Sequence, residues 1–166
     1  LQLNHYNTNF KKQTFPITLV SENVTNASNI GSLFRIVDAF GIEKLILCGE
    51  HINLGRKMTK TSRATEKVVN YELHNSALEV VESLKNSKFQ IISLEITNQS
   101  KPIHLFEFSK ETPIALIIGD ENFGVSEAIL NLSDAQIHID MFGQNSSMNV
   151  VQATNIALYE ITKQLL

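Results

Sequence analysis

The sequence predicts an α/β domain built on a mostly parallel sheet. Three observations carry this. Several short runs are almost continuously apolar, among them Ile17-Thr18-Leu19-Val20, Leu45-Ile46-Leu47-Cys48 and Ile114-Ala115-Leu116-Ile117-Ile118. That is the pattern of strands covered on both faces. Segments with helical apolar spacing alternate with these runs. Near the C-terminus the run Ile137-His138-Ile139 leads into a loop of amides and hydroxyls, Asp140 to Asn149, and then into an amphipathic helix. A polar loop between a strand and a helix is where open α/β sheets hold ligands.

The elements follow in order. Residues 1–16 are polar and read as an N-terminal arm, and residues 17–166 as the domain. Ile17 to Val20 is the first strand, and Asn29 to Phe40 a helix with Ile30, Leu33, Phe34, Val37 and Phe40 at helical spacing; Gly41 stops it. Leu45 to Cys48 is the second strand. A basic segment follows, then a third strand, Val68 to Leu73, and a helix over Asn75–Asn86 with Leu78, Val81 and Leu84 inward. Phe89 to Leu94 is a strand and Thr97 to Thr112 a long irregular connection. Pro113 precedes the most apolar strand, Ile114 to Ile118. Gly119 to Gly124 is a loop, and Ser126 caps a short helix to Leu130. The last helix turns Val150, Ala153, Ala157, Leu158, Ile161 and Leu165 to one face.

At 166 residues the chain is long enough for one domain with its own core. A hydrophobic fraction of 43% and a charged fraction of 19% are ordinary for a soluble globular protein. No apolar run approaches the roughly 20 residues of a membrane span, and no signal peptide is visible. A lone cysteine, Cys48, excludes an internal disulfide; its apolar surroundings point to a buried structural thiol. These features fit a cytoplasmic protein. The chain begins at Leu1 rather than Met, which fits missing N-terminal sequence. The five histidines are scattered, and no Cys/His spacing suggests a metal. There is no G-x-G-x-x-G after a strand, no Walker A pattern and no G-x-S-x-G elbow. Dinucleotide, nucleoside triphosphate and serine-hydrolase chemistry are all disfavoured.

Four places carry candidate chemistry. Successive residues at about 100° put Arg35 opposite the apolar stripe of the first helix, beside the mostly small residues Gly31, Ser32, Asp38 and Ala39. Small residues around a long cation let another backbone approach; the alternative is a surface Arg35–Asp38 pair. Arg56, Lys57, Lys60 and Arg63 place four cations in eight residues without an acid. This is either a phosphate-binding patch within a chain of net charge −3 or a solvated face. Gly119 after Ile118 exposes backbone to a ligand or serves a turn, and Glu121 is that loop's most interesting acid. Asn145, Ser146, Ser147 and Asn149 can bond a ligand without charge, while Asn149 alone also suits a helix N-cap.

Taken together, three segments resemble the SpoU (TrmH-like) RNA ribose methyltransferases. Asn26 to Arg35 with Asp38-Ala39-Phe40-Gly41 is similar to that family's motif 1, Ile117 to Ser126 to motif 2, and Ile139 to Val150 to motif 3. They occur in family order, and the resemblance covers about residues 17–165. Asp140 departs from it, standing where the family usually has proline.

The resemblance implies a SPOUT domain with a deep C-terminal trefoil knot, a claim that rests on the resemblance alone because knots are rare. It implies S-adenosylmethionine as cofactor, an RNA partner, a homodimer whose active site draws on both subunits, and methyl transfer to a ribose 2′-hydroxyl. By motif position Arg35 is the catalytic arginine and Asn29 its supporting asparagine. Glu121, Ser147 and Asn149 fall on the remaining catalytic positions. Ile118, Gly119, Ile139, Met141, Ser147 and Met148 line the cofactor pocket. Arg56, Lys57, Lys60 and Arg63 are the candidate RNA contacts. A guanidinium ordinarily titrates above about 12. Arg35 therefore acts as general base only after a large local shift, and otherwise orients ribose and phosphate. The compact chain resembles tRNA-modifying members more than ribosomal RNA enzymes. A non-catalytic RNA-binding relative is the alternative, against which the intact motif residues argue.

Overall fold

The computed structural model describes all residues, Leu1–Leu166. Its elements are β1 (Phe15–Glu22), α1 (Ala27–Ala39), β2 (Ile42–Cys48), α2 (Arg56–Ser62), β3 (Tyr71–His74), α3 (Ala77–Asn86), β4 (Gln90–Leu94), β5 (Lys101–Pro102), β6 (Ile114–Gly119), α4 (Glu127–Leu132), β7 (Ala135–His138) and α5 (Val150–Leu165). Seven strands form one sheet in the order β3-β2-β1-β6-β4-β7-β5, and every neighbouring pair is parallel. This is the α/β architecture expected from the apolar strands.

Both faces of the sheet are covered, so the central strands are apolar without alternation. On one face Ile17, Leu19, Leu116 and Ile118 pack with Ile30, Leu33 and Phe34 of α1 and Leu158 and Ile161 of α5. On the other, Val20, Ile46, Ala115 and Ile117 pack with Val80 and Val81 of α3 and Ile129 of α4. All six residues of β6 are buried. Helix α1 ends as its sequence demands: Gly41 takes φ +63°, and a Cβ there would strike the Gln13 carbonyl.

Several boundaries differ from the sequence reading, each for a local reason. The arm stops at Thr14, because Phe15 is already buried and its N–H donates to Gly41 O at 2.7 Å. Helix α1 starts earlier, because Asn26 caps it by accepting from Asn29 N at 3.0 Å. The third strand begins at Tyr71 rather than Val68: a turn of 3-10 helix at Thr65–Lys67 occupies the chain before it and leaves Val68 exposed. The connection Thr97 to Thr112 contains β5 and a second 3-10 turn, Ile103–Leu105. A two-residue strand has no periodicity to read. Ser126 occupies the N-cap position of α4 but makes no capping bond. Its Oγ donates instead to the buried Glu22 carboxylate at 2.8 Å, and its N–H does so at 2.6 Å.

The small-residue face of α1 also needs correction. Gly31 is buried, and a Cβ on it would meet the Met58 carbonyl, Thr61 and Ser62 of α2. Its smallness serves a close contact between two helices of one chain. Arg35 and Asp38 remain exposed, and they do not form the ion pair that their spacing permits.

Candidate functional site

The sheet order reverses around β1, whose neighbours are β2 and β6, and ligands in open α/β sheets bind beyond the carboxyl ends of strands near such points. The loops leaving β4, β6 and β7 surround a cleft of about 630 Å³ at that end, within the size range of small-molecule sites. All six residues assigned to the cofactor pocket line it: Ile118, Gly119, Ile139, Met141, Ser147 and Met148.

Three motif segments meet at one carboxylate beside this cleft. Glu121 Oε1 accepts from Asn29 Nδ2 at 3.0 Å and from Asn149 Nδ2 at 2.8 Å. Asn149 performs a second task with its other atom, for its Oδ1 accepts from Val151 N at 2.9 Å and Gln152 N at 3.3 Å. The cap and the site contact that the sequence offered as alternatives are both made. Ser147 lines the cleft, and its N–H donates to Asn145 Oδ1 at 3.2 Å.

Arg35 is not gathered with them. It is exposed, does not line the cleft, and sits six residues along α1 from Asn29, about 9 Å at the helical rise. Arg56, Lys57, Lys60 and Arg63 are all exposed and none is in an ion pair. Met58 and Ser62 face α1, so α2 turns its cations outward.

The loop after β6 is held from several sides. Asp120 Oδ1 accepts from Asn122 N and Phe123 N, and Gly124 N donates to Asp120 O at 2.9 Å. Gly119 makes room for this fold-back, because a Cβ there would collide with Gly124 and Val125 backbone. Its smallness thus serves the turn, while the residue still lines the cleft. Glu95 was missed by the sequence reading. Its carboxylate accepts from Ile96 N at 2.9 Å and Val125 N at 3.0 Å, joining the β4 loop to the β6 loop across the cleft. The available signal was an acid immediately after an apolar strand. Asp140 meets His138 Nε2 at 3.1 Å, with His104 Nδ1 at 4.0 Å on its other oxygen. The departure from proline thus gives the loop after β7 a polar anchor.

Comparison with known proteins fits this arrangement. The profile of the SpoU rRNA Methylase family matches residues 16–159. The chain belongs to that family. Among relatives of this SpoU methylase, a tRNA (guanosine(18)-2'-O)-methyltransferase of Thermus thermophilus is 30% identical over 90% of this chain and 76% of its own length. The crystal structure of the Aquifex aeolicus TrmH/SpoU tRNA modifying enzyme superposes with a TM-score of 0.81 at 28% identity, covering 93% of this chain and 77% of that one. The SpoU methyltransferase AviRb of Streptomyces viridochromogenes, in complex with the cofactor AdoMet, gives 0.79 at 25% identity over 93% and 62%.

S-adenosylmethionine is the cofactor of this family's methyl transfer, and the cleft suits it. Ile118, Ile139, Met141 and Met148 offer apolar walls to a purine, and Ser146 and Ser147 offer hydroxyls. The charged side chains lining the cleft are Glu95, Asp120 and Glu121, with neither Lys nor Arg among them, which favours a ligand carrying positive charge.

Proposed function

We propose that this SpoU methylase transfers a methyl group to a ribose 2′-hydroxyl of tRNA. The observation that carries the reading is the convergence of Asn29, Glu121 and Asn149 beside the apolar cleft. The names of its relatives in Thermus and Aquifex favour tRNA over ribosomal RNA.

S-adenosylmethionine supplies, when bound, a methyl group on a positively charged sulfur. The chain has to hold the ribose in line and accept the proton that its hydroxyl loses. Ile118, Gly119, Ile139, Met141, Ser147 and Met148 bind and orient the cofactor. Glu121 fixes Asn29 and Asn149, and so holds α1 and the start of α5 in register with the cleft. Arg35 meets the ribose and its phosphate, as orienting cation or as proton acceptor. Arg56, Lys57, Lys60 and Arg63 contact RNA phosphates.

The working unit is a homodimer in which Arg35 of one protomer serves the cleft of the other. Support comes from Arg35 lying outside its own cleft, and from the outer face of α5, where Ile156 and Tyr159 are exposed beside Gln152. A trefoil knot belongs to the same reading, supported by β7 lying between β4 and β5 although it follows both. A cytoplasmic location belongs to the same reading, supported by the tRNA-modifying relatives.

The test is incubation of the protein with methyl-labelled S-adenosylmethionine and either unmodified tRNA transcripts or unmodified ribosomal RNA, followed by mapping of 2′-O-methyl nucleotides. Label at one ribose position is expected. Label on a base, or none on tRNA but some on ribosomal RNA, would overturn the assignment.

A further inference from the structure

Two phenylalanines on the loops bounding the cleft lie almost wholly outside the protein. Phe123 lines the cleft from the β6 loop and is 88% exposed; Phe142 follows the cleft residue Met141 and is 95% exposed. Single exposed apolar side chains are ordinary. Two aromatic rings on the two loops that rim one site call for an occupant.

The proposed reaction, on which this inference rests, decides what reaches that rim. Transfer needs the ribose hydroxyl within about 3–3.5 Å of the methyl carbon, and the base is attached to the neighbouring ribose carbon. Whichever nucleotide is methylated, its base is carried to the loops around the cleft. A base removed from its own stack is commonly received on aromatic side chains. The rim does not suit phosphate, since Glu95, Asp120 and Glu121 line the cleft without a Lys or Arg. Phosphates have the exposed cations of α2 instead. A second copy of the chain has the outer face of α5 to dock on, where Ile156 and Tyr159 are exposed.

We infer that Phe123 and Phe142 form the platform on which the base of the target nucleotide stacks. Stacking tolerates any base, because every base has a π face. The rings therefore contribute affinity and position, and they leave the choice of sequence to the shape of the RNA.

The experiment measures binding of unmodified tRNA transcripts across a salt series for wild type, Phe123→Ala, Phe142→Ala, Phe142→Leu and Phe142→Trp, with molecular mass from light scattering. Each alanine variant is expected to bind about 10-fold more weakly, the scale of one base on one ring. The salt slope stays unchanged, because no phosphate contact is lost. Phe142→Trp restores binding, Phe142→Leu does not, and the mass is constant. Alanine variants that bind like wild type would overturn the platform. So would rescue by Phe142→Leu equal to that by Trp, or a loss of affinity accompanied by a fall in mass, which would hand the rings to a partner subunit. A wild-type chain that binds with this phenylalanine dependence yet transfers no methyl group would sink the proposed reaction, and with it the target nucleotide, leaving the two rings as a stacking site for an RNA base.

Discussion

Asn149 donates its side-chain amide to Glu121 at 2.8 Å while its carbonyl oxygen caps α5. One side chain thereby fixes the start of the last helix and one corner of the site. Asn149→Ala is expected to lose about 1 kcal/mol of stability through the cap, with cofactor affinity and turnover falling together. Asn149→Asp keeps a capping oxygen but sets a second carboxylate against Glu121, so it should retain more of the stability and still lose cofactor affinity. Thermal unfolding beside calorimetric titration with S-adenosylmethionine separates the two effects. Equal stability loss in both variants would refute the dual role.

The outward face of α2 makes a different kind of prediction. Lys57 and Lys60 are exposed and unpaired, while Met58 between them is buried. Replacing both lysines with alanine should leave the fold intact, weaken tRNA binding and reduce the magnitude of the logarithmic salt slope by up to about 2. An unchanged slope would return the segment to a solvated helix face.

Much of this was legible in the sequence because the burial pattern of an inner parallel strand is strong. Leu45 to Cys48 and Ile114 to Ile118 could hardly be anything else. The motif residues could be placed through the resemblance to the SpoU family, and the fold then brings Asn29 and Asn149 to the Glu121 carboxylate. Other features left weaker marks. The close contact of Gly31 with α2 depends on two helices meeting, which spacing within α1 cannot report. The tie from Glu95 to Val125 spans 30 residues, and β5 is too short to show a period. Arg35 was legible as a surface cation, but its distance from its own cleft appears only once α1 is placed.

Cys48 offers a check on burial that is independent of function. Burial first, and then the nearby Glu22 carboxylate, push its thiol up to about 12. The unfolded chain releases that proton above about 8.5, whereas the folded protein keeps it. The contribution to stability is complete below the unfolded value and is lost as pH rises towards the folded one. Denaturant unfolding at about pH 8 and pH 10 should therefore show a larger alkaline loss for wild type than for Cys48→Ala. Iodoacetamide should label the native thiol slowly and the unfolded thiol fast. Equal alkaline losses would mean that the thiol titrates normally in the folded state.

Arg35 bears most directly on the proposed assembly. It lies on α1, whereas the cofactor cleft is built by the loops after β4, β6 and β7. Arg35→Ala should therefore leave S-adenosylmethionine affinity within a few-fold. Methyl transfer should fall by at least about 10²-fold, as expected on losing a positioned proton acceptor or orienting group. If the arginine works in the partner's cleft, mixing inactive mutants should recover activity. Arg35→Ala protomers retain an intact cleft, and Glu121→Ala protomers retain an intact arginine. Random exchange of equal amounts makes about half of the dimers mixed, each with one complete site out of two, so about a quarter of wild-type turnover returns. A site contained within one chain predicts no recovery from this mixture. Wild-type turnover by Arg35→Ala alone would remove the residue from the mechanism and leave it a surface cation.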